Sequence, residues 1–239
     1  MPKVLLIVNA KINENGQIIP ASPATARMIE SFKKAIKFHS SDNIEVDVIA
    51  NAILWSNKGR LPLEYKNSEL IYCPLTIDLP ERFDFPAKNI FKAAQDIKRQ
   101  RKWVEENLGV WTSNPKNRFG DMWLPIILTK KGPIYGEVIG EGVMPNSYYQ
   151  PVDLLDSQRQ SLYKIGYQLL EHLEATPAVY LLQFAFLKEQ IVFDRLWPFP
   201  AAPAIASIGI QKPDLYICHW HCITGKPLLN VMIPGSCKL

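Results

Sequence analysis

The chain has 239 residues, 47% apolar and 21% charged, and 27 basic against 23 acidic side chains leave it at +4. That length suits one large domain or two small ones with an ample core, and so slight and scattered a basic excess argues against nucleic acid as a partner. No apolar run reaches membrane-spanning length and no charged leader precedes the first apolar run, so a cytoplasmic protein with no membrane partner is expected.

Residues 3–8 (KVLLIV) form a short continuous apolar run, the pattern of a strand buried on both faces. Residues 9–21 read as a surface loop. It carries a single glycine, Gly16, where a dinucleotide-binding turn needs several, so phosphate binding is not expected there. Ser22-Pro23 reads as an N-cap with proline at the first helical position, and Met28, Ile29, Phe32, Ala35 and Ile36 recur at helical spacing to about His39. Residues 44–50 and 69–73 read as strands. Strand, helix, strand implies a small α/β unit over residues 1–86, closed by a proline-rich linker at 74–86 that crosses a surface.

Residues 87–108 read as one long helix, with Phe91, Ala94, Ile97, Val104 and Leu108 on one side and Gly109 as its stop. A loop over 111–122 carries Asn114-Pro115 and Gly120. Apolar strands at 124–128 and 133–139 follow, joined by Thr129-Lys130-Lys131-Gly132, and then a loop at 140–151. Asp156 or Ser157 caps a helix running to about Glu174, with Leu162, Ile165, Leu169 and Leu173 as its apolar side. Two apolar runs, 179–186 and 191–197, flank the polar break Leu187-Lys188-Glu189-Gln190 and read as a β-hairpin. It runs straight into Pro198-Phe199-Pro200.

A hairpin entering Pro-x-Pro resembles the core strands of the ATP-grasp superfamily, in particular the carboxyaminoimidazole ribonucleotide synthetase branch. There the second strand ends in Asn-Glu-x-x-Pro-Arg-Pro; here the frame reads Asp194-Arg195-Leu196-Trp197-Pro198-Phe199-Pro200. Gln95-Asp96 with Leu108-Gly109 resembles the helix that opens that family's catalytic unit, with Arg101 at a lysine position. Gly225-Lys226-Pro227-Leu228 after His219 resembles its tail. The resemblance covers residues 87–228. It implies an α/β (α+β) fold: a small N-terminal α/β pre-domain, 1–86, and a truncated ATP-grasp-like domain with antiparallel hairpins, 87–239. The chain is short at 141–155, where the family places further strands.

The resemblance also implies which grips are exchanged. The glutamates that bind magnesium fall on Gln183 and Arg195, and the phosphate-binding arginine falls on Phe199. The lysine of the glycine-rich hairpin falls on Thr129, and its glycines fall on Pro133, Ile134 and Glu137. Magnesium needs hard oxygen ligands, and an arginine at its site adds charge of the wrong sign. The implied protein is a non-catalytic binding, scaffold or regulatory module with no cofactor. Tyr135, Gln183, Arg195, Trp197 and Phe199, with Pro200 and Pro203, would line its groove, and its partner would be a protein or a second copy of the chain. The alternative is an ATP-dependent carboxylate–amine ligase with an atypical site, holding ATP and magnesium through Lys130, Lys131 and Asp194, with Glu189 or Glu137 as further carboxylates. Alternation of the strand sends Asp194 to the face opposite Arg195.

Four cysteines are present, Cys73, Cys218, Cys222 and Cys237, expected as thiols in a reducing compartment. Cys218, His219 and Cys222 share one helix face and are candidate zinc ligands, with Cys237 as a possible fourth. The competing expectation is small buried thiols beside a hydrogen-bonded histidine.

Overall fold

The computed structural model describes residues 3–15, 17–40, 44–65, 69–113 and 120–234. Gly16, Asn114, Pro115 and Cys237, each singled out in the sequence, lie outside the described residues. The chain divides into two compact units, Met1–Lys88 and Asn89–Leu239. No helix among the described residues is long and apolar enough to cross a membrane.

The first unit is built on β1 (Lys3–Val8), whose residues from Val4 onward are buried. The loop after it is not wholly irregular. Ala10–Ile12 (β2) and Ile18–Pro20 (β3) pair as a small antiparallel hairpin. α1 (Pro23–His39) starts as expected, with the Ser22 hydroxyl accepting from Thr25 N, and buries Met28, Phe32, Ala35 and Ile36. β4 (Glu45–Ala50), the short α2 (Asn51–Ser56) and β5 (Leu70–Pro74) complete a parallel sheet of order β4-β1-β5. The stretch read as a surface linker is instead packed inside: Leu75, Leu79, Phe83 and Phe85 are buried, and the Phe83 and Phe85 rings stack at 5.1 Å. Its prolines gave a correct reading of irregular backbone and a wrong one of exposure. The aromatic residues between them are what the core takes up.

The second unit opens with two helices, where the sequence pattern predicted one. α3 (Lys88–Gln95) stops, and α4 (Ile97–Leu108) starts afresh with the Asp96 carboxylate accepting from Arg99 N. An aspartate that caps offers its own backbone an alternative to continuous helix. Gly109 then ends α4 in the left-handed conformation.

The large sheet has the order β10-β9-β7-β11-β12-β6, with β8 also on β7. β6 (Trp111–Thr112) lies parallel to β12 at the edge. β7 (Met122–Thr129) receives both β8 (Gly132–Tyr135) and β9 (Val138–Glu141) on the same side. They are one returning strand, broken at Gly136-Glu137, because Ile126 faces Tyr135 while Trp123 faces Ile139. Part of the loop expected at 140–151 is a further strand, β10 (Tyr148–Val152), antiparallel to β9. β11 (Ala178–Leu187) and β12 (Gln190–Trp197) form the predicted hairpin, and β11 sits between β12 and β7.

α5 (Asp156–His172) covers one face of this sheet with Leu162, Ile165, Leu169 and Leu170. Its N-cap is Leu155, whose N–H donates to the Gln158 side chain, and not Asp156 or Ser157. Gly166 permits the contact, since a Cβ there would run into Ile126 Cδ1. α4 and α5 meet through Trp103 stacked on His172 at 4.2 Å. A 3-10 turn at Ala202–Ser207 and α6 (Leu215–Thr224), capped by Asp214, close the unit.

Candidate functional site

Side chains of one row across the sheet lie on one face: Trp123 of β7, Gln183 of β11 and Arg195 of β12 are register partners. Trp197, two residues beyond Arg195, donates from its indole N–H to Gln183 Oε1 at 2.9 Å, and the Arg195 guanidinium lies 5.5 Å from the Trp197 ring centre. Gln183 Nε2 donates in turn to the Gly120 carbonyl at 2.6 Å. Gly120 must be glycine here, because a Cβ would stand 2.8 Å from Gln183 Cγ and 2.9 Å from the Phe184 carbonyl.

Asp194 departs from the sequence reading. Gln183 faces Arg195 and Phe184 faces Phe193, so Asp194 is the extra residue of a β-bulge. The bulge cancels the alternation that would separate Asp194 from Arg195. Its carboxylate is wholly buried and accepts from Arg101 Nη2 at 2.5 Å, from Gly120 N at 2.8 Å and from Arg195 Nε at 3.3 Å. Arg101 Nε also donates to the Asp194 carbonyl at 2.9 Å, and the buried Gln100 amide accepts from Leu196 N at 3.1 Å. Two neighbouring α4 side chains thus hold β12 from outside.

The proposed groove is not one surface. Gln183, Arg195 and Trp197 come together. Phe199 is buried, stacked on Phe91 with ring centres 6.0 Å apart, and Pro200 and Pro203 are buried too. Tyr135 pairs with Ile126, three residues along β7 from Trp123, and so lies on the opposite face. There it stacks on Tyr163 of α5 at 4.0 Å.

The alternative set is scattered as well. Lys130 and Lys131 sit in the turn beyond Thr129. That end of β7 lies six residues from Trp123, about 20 Å at roughly 3.3 Å per residue. Lys130 Nζ lies against Gly225 at the C-terminal end of α6, where a cation meets the helix dipole. Glu137 is ion-paired to Arg159 at 2.6 Å, and Glu189 lies in the β11–β12 turn. Magnesium bound with a nucleotide needs open carboxylate oxygens. Gln183 and Arg195 carry none, and Asp194 is engaged by two guanidinium groups and a peptide N–H. The residues at these positions do not fit such a group.

On α6, His219 is buried and its Nδ1 accepts from Val179 N at 3.1 Å, while Cys218 donates to the Pro213 carbonyl at 3.5 Å. Burial pushes the His219 imidazole down to about 3 and raises the Cys218 and Cys222 thiols. Among the described residues no three His, Cys, Asp or Glu side chains are grouped to hold a metal.

No family model and no curated protein matches the sequence. Solved structures do match. N5-carboxyaminoimidazole ribonucleotide synthetase from Thermus thermophilus is similar at TM-score 0.66 and 10% identity, over 95% of this chain and 79% of that one. N5-carboxyaminoimidazole synthase from Aspergillus clavatus, solved with ADP and 5-aminoimidazole ribonucleotide, is similar at TM-score 0.67 and 7% identity, over 95% and 78%. The chain has an ATP-grasp fold. The L-amino acid ligase of Bacillus licheniformis is also similar, at TM-score 0.60 and 8% identity, over 95% of this chain and 75% of that one.

Sequence reasoning singled out Arg101 by its place in the ATP-grasp frame but not its partner, marked Gly120 only as a loop glycine, and missed Gln100. A glycine in a loop marks no contact in advance. A glutamine on the inward side of an otherwise basic helix was the one available signal for Gln100.

Proposed function

We propose that this ATP-grasp-fold chain is a non-catalytic binding, scaffold or regulatory protein that takes neither ATP nor magnesium. The single observation that supports this reading is the closure of Asp194. The Asp194 carboxylate, in the bulge beside Arg195, is buried under Arg101, Arg195 and the Gly120 N–H. A buried ion pair holds together because separating its members leaves an uncompensated charge, so freeing Asp194 for a cation is costly. The amide at Gln183 is likewise held by Trp197 and Gly120. The working surface of such a protein meets another protein, a second copy included, rather than nucleic acid or a membrane, and it works in the cytoplasm.

Thermal melting with and without magnesium and ATP tests this. A ligand at a hundred times its Kd adds about 2.7 kcal/mol to stability, which displaces Tm measurably. The expected Tm is the same in buffer, in ATP and in magnesium-ATP. A magnesium-dependent rise overturns the reading in favour of a carboxylate–amine ligase with an atypical site. Sedimentation of the purified chain across a concentration series checks self-association.

A further inference from the structure

A cleft of about 530 Å³ lies among the C-terminal end of α4, the outer side of α5 and the β11–β12 turn. Its volume falls within the roughly 300–1,000 Å³ of small-molecule sites. α5 turns its apolar residues to the sheet. Toward the cleft it presents a separate polar stripe, Ser157, Ser161, Lys164 and Gln168, at helical spacing. Across from that stripe stands Trp111, whose side chain is 53% exposed on the two-residue edge strand.

The chemistry of the lining narrows the ligand. One lysine, Lys164, and one glutamate, Glu189, bring no net charge, so an anion or a cation gains nothing from the site as a whole. The remaining polar groups are amides and hydroxyls with capacity to spare. Asn107 uses its Nδ2 on the Trp103 carbonyl and Gln158 uses its Oε1 on Leu155 N, which leaves an acceptor on the first and a donor on the second. Ser161 donates to the Ser157 carbonyl and keeps its lone pairs. Gln168 also lines the cleft; its Oε1 is shielded from solvent, so the group it can offer a ligand is its Nε2 donor.

A flat indole beside mixed neutral donors and acceptors suits a ring with hydroxyls around its rim and C–H bonds on its face. We propose that this cleft binds a neutral saccharide, with Trp111 stacking on the C–H face of the sugar ring and Gln158, Gln168 and Ser161 meeting its hydroxyls. The proposal goes beyond the non-catalytic reading and does not depend on what the Gln183 face holds, because none of the residues of that face lines this cleft.

Saturation-transfer difference NMR on the full chain tests it. The panel holds neutral monosaccharides (glucose, N-acetylglucosamine), the trisaccharides maltotriose and chitotriose, the zwitterionic dipeptide glycylalanine and inorganic phosphate. The expected result is saturation of ring C–H protons in at least one saccharide, with Trp111→Ala weakening that Kd by at least about tenfold. Gln168→Ala should weaken it as well, and the exposed position of Trp111 should leave Tm unchanged. Preference for a monosaccharide identifies a free sugar, and preference for a trisaccharide a polymer-borne glycan. The proposal is overturned if no saccharide receives saturation at millimolar concentration. It is equally overturned if binding survives both substitutions intact, or if only the dipeptide or phosphate binds.

Discussion

Two patches of the large sheet are built by different physics. On the α5 side, Leu124, Ile126, Leu182 and Leu196 are buried in adjoining rows, and all they require of their cover is shape. The opposite face is apolar too at Val179, Leu181 and Ile127, but in its Gln183 row Trp197 donates to Gln183, Gln183 to the Gly120 carbonyl, and Arg195 to Asp194. An apolar face tolerates exchange of one hydrocarbon for another of like volume. A polar row is all or nothing, because each unpaired group left behind carries its full desolvation cost.

Breaking the ion pair is the sharpest way to test that contrast. Arg101→Ala strips Asp194 of its shortest contact and should cost about 3–5 kcal/mol in urea denaturation. A loss below about 1 kcal/mol would put this pair with exposed surface bridges instead. On the apolar face, Leu182→Ala should cost about 2–5 kcal/mol, and Leu182→Met less than about 1.5 kcal/mol. Equal losses from the two substitutions would contradict the claim that volume alone matters there.

Gly166→Ala, which forces a Cβ against Ile126, should cost about 1–3 kcal/mol despite the better helix propensity of alanine. A pH series between 6.5 and 5.5 adds a weaker effect, about 1 kcal/mol. His219 titrates at about 3 when folded and near 6.5 when unfolded. The unfolded chain therefore binds more protons between those values, and stability falls as pH drops from 6.5 toward 3. Replacing it by His219→Asn, whose side-chain oxygen can accept from Val179 N, should flatten that slope and leave stability above pH 6.5 independent of pH at this position.

Much of the architecture was readable because its signals are local. The uninterrupted apolar run of β1, the Ser22-Pro23 start of α1 and the two apolar runs of β11 and β12 each depend on a few neighbouring residues. The candidate site was readable only in part. Counting by twos along β12 placed Asp194 away from Arg195, and a single inserted residue reversed this. Nothing within residues 190–197 marks the bulge, because its cause lies in Arg101 and Gly120, 93 and 74 residues away along the chain. The second start at Asp96 is a local cap overlooked inside a continuous apolar period, whereas the same long-range limit hid the buried aromatics of residues 75–85 and the strand β10. Both of the latter are fixed by what packs against them rather than by their own pattern.

The grip of α4 on β12 has a consequence for how this protein behaves in company. Among the described residues, β6 pairs with β12 at Val192 and Phe193, and no strand is described along β12 beyond them. Arg101 and Gln100 supply the hydrogen bonds that a neighbour would have made, to the Asp194 carbonyl and the Leu196 N–H. A foreign strand seeking to extend the sheet there finds those groups already taken, so the helix guards the chain against aggregation along this border.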